Sequence, residues 1–358
     1  MKTRLALLAL VATACSPEAG NSATSNAATA ATPGATTPDS TGVIAPTTVA
    51  STPKPGALKT FRDWTVGCDN GLTCTMIALG SETAGEQVAS VILTRAAGPD
   101  GGWTASLSAE GGDLTALVGD GKAIPASDGA GIAAAVANGK AASARGAAGA
   151  AKGAISLAGA SAALRYIDAT QGRAGGVTAV VAKGPAAASA VPAAPALPVV
   201  AALTPSGTAA KPTAAQVAAI AKAAQCEIDA ESGIDQTPET YAAGGGTTLV
   251  FVPCSSGAYN LSSAVFAMKD GKFAAAQSDV PTGFTEGGAA GDVSVVNGGF
   301  EDGFVTSYAK GRGVGDCGVA QKLAWDGTKL RLVEQDEMGE CRGSTDMIPT
   351  WRATVTRR

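Results

Sequence analysis

The chain has 358 residues, and only 16% of them are charged, against about 25% in ordinary soluble domains. Its 26 lysines and arginines and its 30 aspartates and glutamates give a net charge of −4, and no basic block occurs that would hold a nucleic acid. Histidine is absent, which excludes Ser-His-Asp and Cys-His catalytic pairs and removes the commonest metal ligand. The composition therefore predicts neither a nucleic-acid partner nor a bound cofactor.

Residues 1–14 predict a secretory signal peptide. Lys2 and Arg4 precede the apolar run Leu5–Ala12, and small residues then lead to Cys15. Residues 11–15, Val-Ala-Thr-Ala-Cys, resemble the cleavage box of bacterial lipoproteins, which implies that Cys15 carries acyl chains and anchors the chain stably to a membrane. Ser16, in place of an aspartate, implies an outer-membrane lipoprotein that faces the periplasm. A plain secretory signal with an incidental cysteine is the alternative.

Two low-complexity stretches divide the rest of the chain. Residues 15–57 consist mostly of Ala, Thr, Ser and Pro and cannot bury enough apolar surface to offset the entropy of ordering, so they predict a disordered, lipid-anchored tether. Residues 184–212 contain six prolines and one charge, which predicts a semi-extended Ala/Pro linker. Two domains are therefore expected, at 58–183 and 213–358.

The first domain is predicted to be β-rich with a C-terminal helix. Alternating apolar residues flank Asn70-Gly71, a dipeptide that tolerates the positive φ angles of a hairpin turn. Val88–Arg95 and Trp103–Leu107 indicate further strands. After Ser127 the Ala- and Gly-rich composition favours helix, and the clearest helix starts near Ser156. Its predicted apolar face comprises Ala160, Ala163, Leu164 and Ile167.

The second domain is predicted to begin with a helix and to continue as an antiparallel sheet. Thr213 and Gln216 have the spacing of a capping box at a helix N-terminus. Asp-Gly turns at 270–271 and 326–327 separate short apolar runs. The predicted strands are Thr247–Val252, Ala264–Met268, Val293–Val296, Leu323–Trp325, Leu330–Val333 and Trp351–Val355. The fold class is α+β, mainly antiparallel β, in two disulfide-stapled domains with a few short helices.

The seven cysteines are consistent with export. Lipidation of Cys15 accounts for the odd thiol, and the other six fall two by two into three regions of the chain. The predicted disulfides are Cys68–Cys74, Cys226–Cys254 and Cys317–Cys341, one of fifteen possible arrangements. A zinc site is the alternative, and the lack of histidine and of any C-x-x-C pair argues against it.

Two clusters of polar residues have both a functional and a structural interpretation. Lys310, Arg312, Asp316 and Trp325 form a candidate patch for an anionic glycan or a peptide carboxylate, and an ion pair within one loop is the alternative. The same segment contains Gly313-x-Gly315-x-x-Gly318, which matches a dinucleotide-binding fingerprint. Strand-like residues follow where that fingerprint requires a helix, so we interpret it as a tight turn pinned by a disulfide.

A second candidate lies beside Cys226. Glu227 and Asp229 would be the paired carboxylates that glycan cleavage needs across a cleft. A solvated strand face is the alternative interpretation.

Several ordered motifs resemble a family of uncharacterised exported proteins of Gram-negative bacteria, over residues 58–358. The motifs are Phe61-x-x-Trp64-x-x-x-Cys68-Asp69-Asn70, Asp168-x-x-Gln171-Gly172-Arg173, Pro253-Cys254-x-x-Gly257-Ala258-Tyr259-Asn260, Lys310-Gly311-Arg312-Gly313-Val314-Gly315-Asp316-Cys317-Gly318, Trp325-Asp326-Gly327, Cys341-Arg342-Gly343 and Trp351-Arg352-Ala353. The first domain, with Ser156-Leu157-x-Gly159-x-x-Ala162-Ala163, also resembles the invasion-associated locus B family, which implies a loose connection to host contact or to the envelope. Neither resemblance implies a catalytic mechanism.

Three hypotheses of function follow. The leading one is a non-enzymatic, lipid-anchored envelope protein whose domains bind an envelope protein or glycan, because no complete catalytic set occurs. The alternative is a hydrolase that cleaves envelope glycans with carboxylate residues. A scaffold that only supports envelope integrity is the third.

Overall fold

A computed structural model describes residues 52–80, 89–109, 112–146, 151–227, 233–283 and 293–358, which belong to one compact unit. The predicted signal peptide, the lipidated Cys15, the tether up to residue 51 and Asp229 lie outside the described residues. No helix in the described ranges is long and apolar enough to cross a membrane.

Nine antiparallel strands in the first half of the chain form one sheet. Their order is β1-β2-β3-β4-β5-β6-β8-β9, and β7 pairs with β6. The strands are β1 (Lys59–Phe61), β2 (Trp64–Cys68), β3 (Cys74–Ala78), β4 (Ala89–Arg95), β5 (Trp103–Ala109), β6 (Gly112–Gly119), β7 (Lys122–Pro125), β8 (Ala142–Gly146) and β9 (Ala151–Ile155). The predicted β-rich character is confirmed, but β8 and β9 occupy part of the Ala- and Gly-rich stretch for which helix was predicted.

Two helices, α1 (Gly129–Asn138) and α2 (Ala160–Thr170), pack against this sheet. The four residues predicted for the apolar face of α2 are fully buried. The helix starts four residues later than predicted, because the chain first passes through Gly159 at a φ of 94°. A Cβ atom on Gly159 would lie 1.6 Å from the carbonyl oxygen of Phe61, so only glycine fits this turn.

The hairpin between β2 and β3 turns at the predicted place with different geometry. The Asp69 carboxylate accepts hydrogen bonds from the backbone N–H groups of Gly71 and Thr73, at 2.9 and 2.8 Å. The residue with positive φ is Leu72, at 60°, rather than the Asn-Gly pair. Cys68 and Cys74 face each other across the hairpin and form the predicted disulfide.

The second half contains two sheets that pack against each other around a shared apolar core. The first has strands β11 (Glu239–Gly244), β12 (Thr247–Ser256), β13 (Leu261–Lys269), β14 (Lys272–Ala275) and β15 (Ser294–Val296). The second has the order β16 (Phe300–Glu301), β17 (Phe304–Lys310), β18 (Gly318–Trp325), β19 (Leu330–Met338) and β20 (Ile348–Arg352). Helix α3 (Ala214–Ala223) begins with the predicted capping box and packs Ile220 against the opposite face of the first of these sheets.

The predicted linker contributes a strand. Within 184–212, β10 (Val199–Ala202) pairs in parallel with β21 (Thr354–Arg357), and Ala188–Ala190 form a short 3-10 turn. The single strand predicted over Trp351–Val355 is therefore two strands in two sheets, divided at Ala353.

The two halves are in direct contact. Strand β20 lies against β2 and β3, and an apolar cluster joins Ile77 and Leu79 of the first half to Met338 and Ile348 of the second. The end of the predicted tether also packs here, because Pro53 is buried and the N–H of residue 56 donates to the Thr350 carbonyl at 2.8 Å. Whether 58–183 and 213–358 fold independently stays a prediction.

Candidate functional site

The most distinctive segment of the sequence, residues 310–318, forms a loop between β17 and β18 that we call the pinned loop. It is closed by the predicted Cys317–Cys341 disulfide and by a hydrogen bond from the Gly311 N–H to the Cys317 carbonyl, at 2.8 Å. A Cβ atom on Gly311 would lie 2.7 Å from the Cys317 sulfur, so glycine lets the chain pass under the disulfide. Strand β18 follows the glycine pattern where a dinucleotide fingerprint needs a helix, which agrees with the interpretation as a turn.

Side chains from the turn between β12 and β13 and from β17 donate hydrogen bonds to carbonyl groups of the pinned loop. The Tyr259 hydroxyl donates to the Gly311 carbonyl at 2.9 Å, and the Asn260 amide donates to the Lys310 carbonyl at 2.9 Å. The Tyr308 hydroxyl donates to the Gly315 carbonyl. The loop is therefore rigid although four of its nine residues are glycines.

The rigid loop nevertheless presents apolar surface to solvent. Val314 at its tip is 69% exposed, and Tyr259, whose ring lies 3.6 Å from the position of a Cβ on Gly313, is 41% exposed. These are two of the four exposed large hydrophobic residues in the described ranges. The amino-acid composition does not predict that Val314 and Tyr259 are exposed.

The side chain of Asp316 is buried inside the protein. Its side chain is 1% exposed, pairs with both ends of the Arg312 guanidinium, and accepts the Gly343 N–H at 2.6 Å. Burial acts to raise the pKa of Asp316, but the hydrogen bonds from Arg312 and Gly343 outweigh it and hold the pKa below its ordinary value. The alternative interpretation, an ion pair within one loop, is the one that the structure shows.

The four residues of the predicted ligand patch do not come together. Trp325 lies at the far end of β18 and is only 5% exposed, within the core between the two sheets of the second half. The length of β18, roughly 23 Å, separates it from Lys310, Arg312 and Asp316. The prediction that Trp325 belongs to a ligand patch is therefore wrong. In a chain poor in aromatic residues, a tryptophan is needed to fill the core.

A cleft of about 300 Å³ adjoins the pinned loop on the outer face of the sheet β16–β20. Polar and charged side chains from four strands line it, with Asn297 beside them. They include Glu301, Tyr308, Lys322, Glu334 and Asp336. Tyr308 belongs to both features, because its ring borders the cleft and its hydroxyl holds the loop.

The carboxylates of the cleft differ in their surroundings. Glu334 pairs with Lys322, whose Nζ lies 3.3 Å from the Glu334 Oε1. Asp336 has one buried oxygen, Oδ1, with no hydrogen-bond partner among the described residues. Burial and the neighbouring Glu334 raise the pKa of Asp336 to about 6, although Arg352 and Lys322 act in the opposite direction. The sequence prediction missed this pair, for which the alternation Glu-x-Asp was the available signal.

Of the carboxylate pair predicted near Cys226, Glu227 lies within the described residues and Asp229 lies outside them. Glu227 is exposed, and its N–H donates to the Cys254 carbonyl at 2.7 Å beside the predicted Cys226–Cys254 disulfide.

Within the ranges that the structure describes, no group of three Cys, Asp or Glu residues is placed to hold a metal ion.

Fold and site together define a disulfide-stapled, mainly antiparallel α+β protein with a rigid exposed loop and a polar cleft. The chain belongs to the family described as "Protein of unknown function (DUF1176)", whose model matches residues 58–358. This confirms the predicted membership of an uncharacterised family, whereas the resemblance of the first domain to the invasion-associated locus B family stays a prediction.

A curated relative and the solved structures add little to this. Over 183 residues the chain is 28% identical to "Uncharacterized protein YpfG" of Escherichia coli (strain K12), which covers 48% of this chain and 51% of that protein. The chain thus matches about half the length of this relative. No solved structure matches the chain significantly.

Proposed function

We propose that the protein is a non-enzymatic binding module, anchored to the outer membrane of the cell envelope by a lipidated Cys15, which binds a partner through the pinned loop. One observation carries the proposal: residues 310–318 are held by a disulfide and three side-chain hydrogen bonds, yet Val314 and Tyr259 remain exposed beside each other. A loop that is already held in one conformation loses little backbone entropy when a partner covers it.

The surface fits a protein partner better than a glycan. Val314 offers only apolar area, whereas tyrosine combines apolar area with a polar tip and is enriched at the centres of protein interfaces. Lys310 lies 5.8 Å from the Tyr308 ring and supplies a positive charge at the edge of the same surface. An anchor and a long tether would support this role, because they would let the folded part search the neighbouring envelope while it stays attached.

Capture of envelope proteins by the purified chain tests the proposal. We expect Val314→Asp to abolish specific capture. Val177→Asp is the matched control, because Val177 is also an exposed valine, 59% exposed, but lies in the first half of the chain. Equal capture by the two variants, or capture by neither variant nor wild type above background, would reject the proposal. A Cys15→Ser variant that still enters the detergent phase would reject the anchor alone.

A second candidate function is glycan cleavage, and the Glu334–Asp336 pair favours it. Burial and the neighbouring Glu334 raise the pKa of Asp336 to about 6, and a raised pKa is what a general acid in glycoside hydrolysis needs. Incubation of the chain with cell-wall fragments tests this function. Product release that disappears in Asp336→Asn and Glu334→Gln, and persists in the exposed control Asp302→Asn, would support it, and no release by the wild type would end it.

A further inference from the structure

One buried arginine fastens the second half of the chain to the first. Arg342 is 8% exposed and donates hydrogen bonds to the carbonyl groups of Gly80 and Arg62, both at 2.8 Å, and to the Asp63 carboxylate at 2.6 Å. The Gly80 N–H returns a hydrogen bond to the Arg342 carbonyl at 3.0 Å. We call Arg342 and these three partners the interface latch.

The residues on either side of Arg342 connect the latch to the pinned loop. Cys341, immediately before it, forms the disulfide with Cys317, and Gly343, immediately after it, donates to Asp316. Cys317 is 2% exposed and lies in the apolar cluster that joins the two halves. The Cys317–Cys341 disulfide therefore constrains both the pinned loop and the position of the latch.

The cysteine residues of the three disulfides differ in their exposure to solvent. Cys68 and Cys74 are buried in the first core, and Cys226 and Cys254 are each half-buried. Of the six cysteines that the structure describes, Cys341 alone is exposed. Thiol–disulfide exchange begins with attack of a thiolate on an accessible sulfur, so access selects which bond opens first.

We propose that the Cys317–Cys341 disulfide is a redox-controlled clasp: its reduction by an external dithiol releases the interface latch and loosens the pinned loop. A thiolate of the dithiol attacks the Cys341 sulfur, the S–S bond breaks, and Cys317 leaves as a thiolate that takes up a proton. The second thiol of the reductant then displaces Cys341 from the mixed disulfide. Two electrons and two protons pass to the cysteines, and the reductant becomes a disulfide.

The consequence for the interface does not depend on any ligand, whereas a consequence for partner binding rests on the proposed function. After reduction, residues 339–347 are held to β18 only by non-covalent contacts. The latch then opens more often, because the constraint that kept Arg342 beside Asp63 is gone.

Stepwise reduction of the whole chain tests the clasp. The oxidised protein is treated for a fixed short time with increasing concentrations of dithiothreitol under native conditions, free thiols are alkylated, and each cysteine is identified by mass spectrometry. We expect Cys317 and Cys341 to be labelled at a concentration at least tenfold lower than the other four cysteines. Native-state hydrogen exchange is measured on the same samples, and peptides that contain Gly80 and Gly343 should exchange at least tenfold faster after this first step.

Variants separate the clasp from general destabilisation. Cys317→Ser with Cys341→Ser should reproduce the fast exchange around Gly80 without reductant, whereas Cys226→Ser with Cys254→Ser should leave it slow. Simultaneous or earlier opening of another disulfide, or unchanged exchange at Gly80 after Cys317 and Cys341 are reduced, would overturn the inference. If the double variant does not fold, the alkylated wild type gives the same exchange measurement. A clasp that opens without any effect on capture would reject the proposed function and leave the clasp intact.

Discussion

The two halves of the chain use their sheets differently. The nine-stranded sheet of the first half is covered on one face by α1 and α2 and on the other, at β2 and β3, by strand β20 of the second half. In the second half, the sheet β16–β20 buries one face against its partner sheet, while its outer face carries the cleft and the pinned loop at its end. In the proposed binding role, the first half would act as a support and the second half would present the surfaces that a partner contacts.

One group of charged residues from each half shows a related contrast. In the first half, Arg173 is fully buried and donates to the Gly98 carbonyl and to Gln171, while the Asp168 carboxylate accepts N–H groups of Val180 and Val181. These charges close loops around the end of α2. In the second half, the carboxylates of the cleft face a cavity, and Asp336 has a pKa far from its ordinary value. Arg173 and Asp168 are thus surrounded by hydrogen-bonding partners, whereas the Oδ1 atom of Asp336 has none among the described residues.

The supporting role of the first half predicts the largest effect. Leu164 in α2 is fully buried against the sheet, so Leu164→Ala should lower the free energy of unfolding by about 3–4 kcal/mol. Urea denaturation measures the loss. The neighbouring Arg165 is exposed, and Arg165→Ala should stay within about 0.5 kcal/mol of the wild type. Similar losses for the two variants would contradict a continuous core beneath α2.

The contact between the halves predicts the next largest effect. Arg342→Ala leaves the Gly80 and Arg62 carbonyls without their donor and should cost about 2–3 kcal/mol. We expect the wild type to unfold in a single urea transition, and the loss of the latch should separate this transition into two. The hydrogen bond from Arg342, followed by that from Ser156, lowers the pKa of Asp63, so this stabilisation is present above the ordinary pKa near ~4 and lost as pH falls through the lowered one.

Arg145 offers the control for the latch, since it is exposed in the first half. Arg145→Ala should keep a single transition at nearly the wild-type urea midpoint. A single, unshifted transition in Arg342→Ala would show that the apolar cluster alone holds the halves together.

The cleft predicts a smaller, pH-dependent effect. Because the folded protein holds the proton of Asp336 up to a pH of about 6 and the unfolded chain releases it near ~4, stability falls as pH rises between these values. Asp336→Asn removes this dependence. The stability difference between variant and wild type should change by about 2 kcal/mol between pH 4 and pH 7, as measured by urea denaturation at each pH. A constant difference would mean that Asp336 is ionised like an ordinary carboxylate.

The peripheral helix of the second half predicts the smallest effect. Helix α3 has a single fully buried residue, Ile220, and depends on its capping box, in which the Thr213 hydroxyl accepts the Gln216 N–H. Thr213→Ala should therefore cost about 1 kcal/mol in thermal or urea unfolding. Thr208→Ala, an exposed threonine in the preceding segment, should cost almost nothing. Equal costs would indicate that the cap contributes no stability.

Local signals predicted well those parts of the fold that depend on neighbouring residues. The capping box of α3, the buried face of α2 and all three disulfides follow from spacings within about thirty residues, and the structure contains each of them. Strands β8 and β9 were missed because alanine and glycine have weak strand preferences, and pairing with β6 overrides them. Strand β10 was missed because its partner, β21, lies some 150 residues away.

The candidate site was predicted only in part, because much of it depends on residues that are far apart in the sequence. The block 310–318 was recognised from its sequence, but the distance between Trp325 and Arg312 depends on the length and direction of β18. Burial and Glu334 raise the pKa of Asp336, against the opposing effect of Lys322 and Arg352 on adjacent strands. No local pattern in the sequence reveals this degree of burial.

The bond between Arg342 and Asp63 spans 279 positions of the chain, which has a consequence for how the protein is made. Hairpins such as β2–β3 close early, because their loops are short, whereas contacts this far apart in sequence form slowly. The first half must therefore wait with one face of its sheet uncovered until nearly the whole polypeptide has emerged. During that interval Ile77 and Leu79 would be exposed, and a chaperone that protects apolar strands from aggregation would bind this face of the sheet.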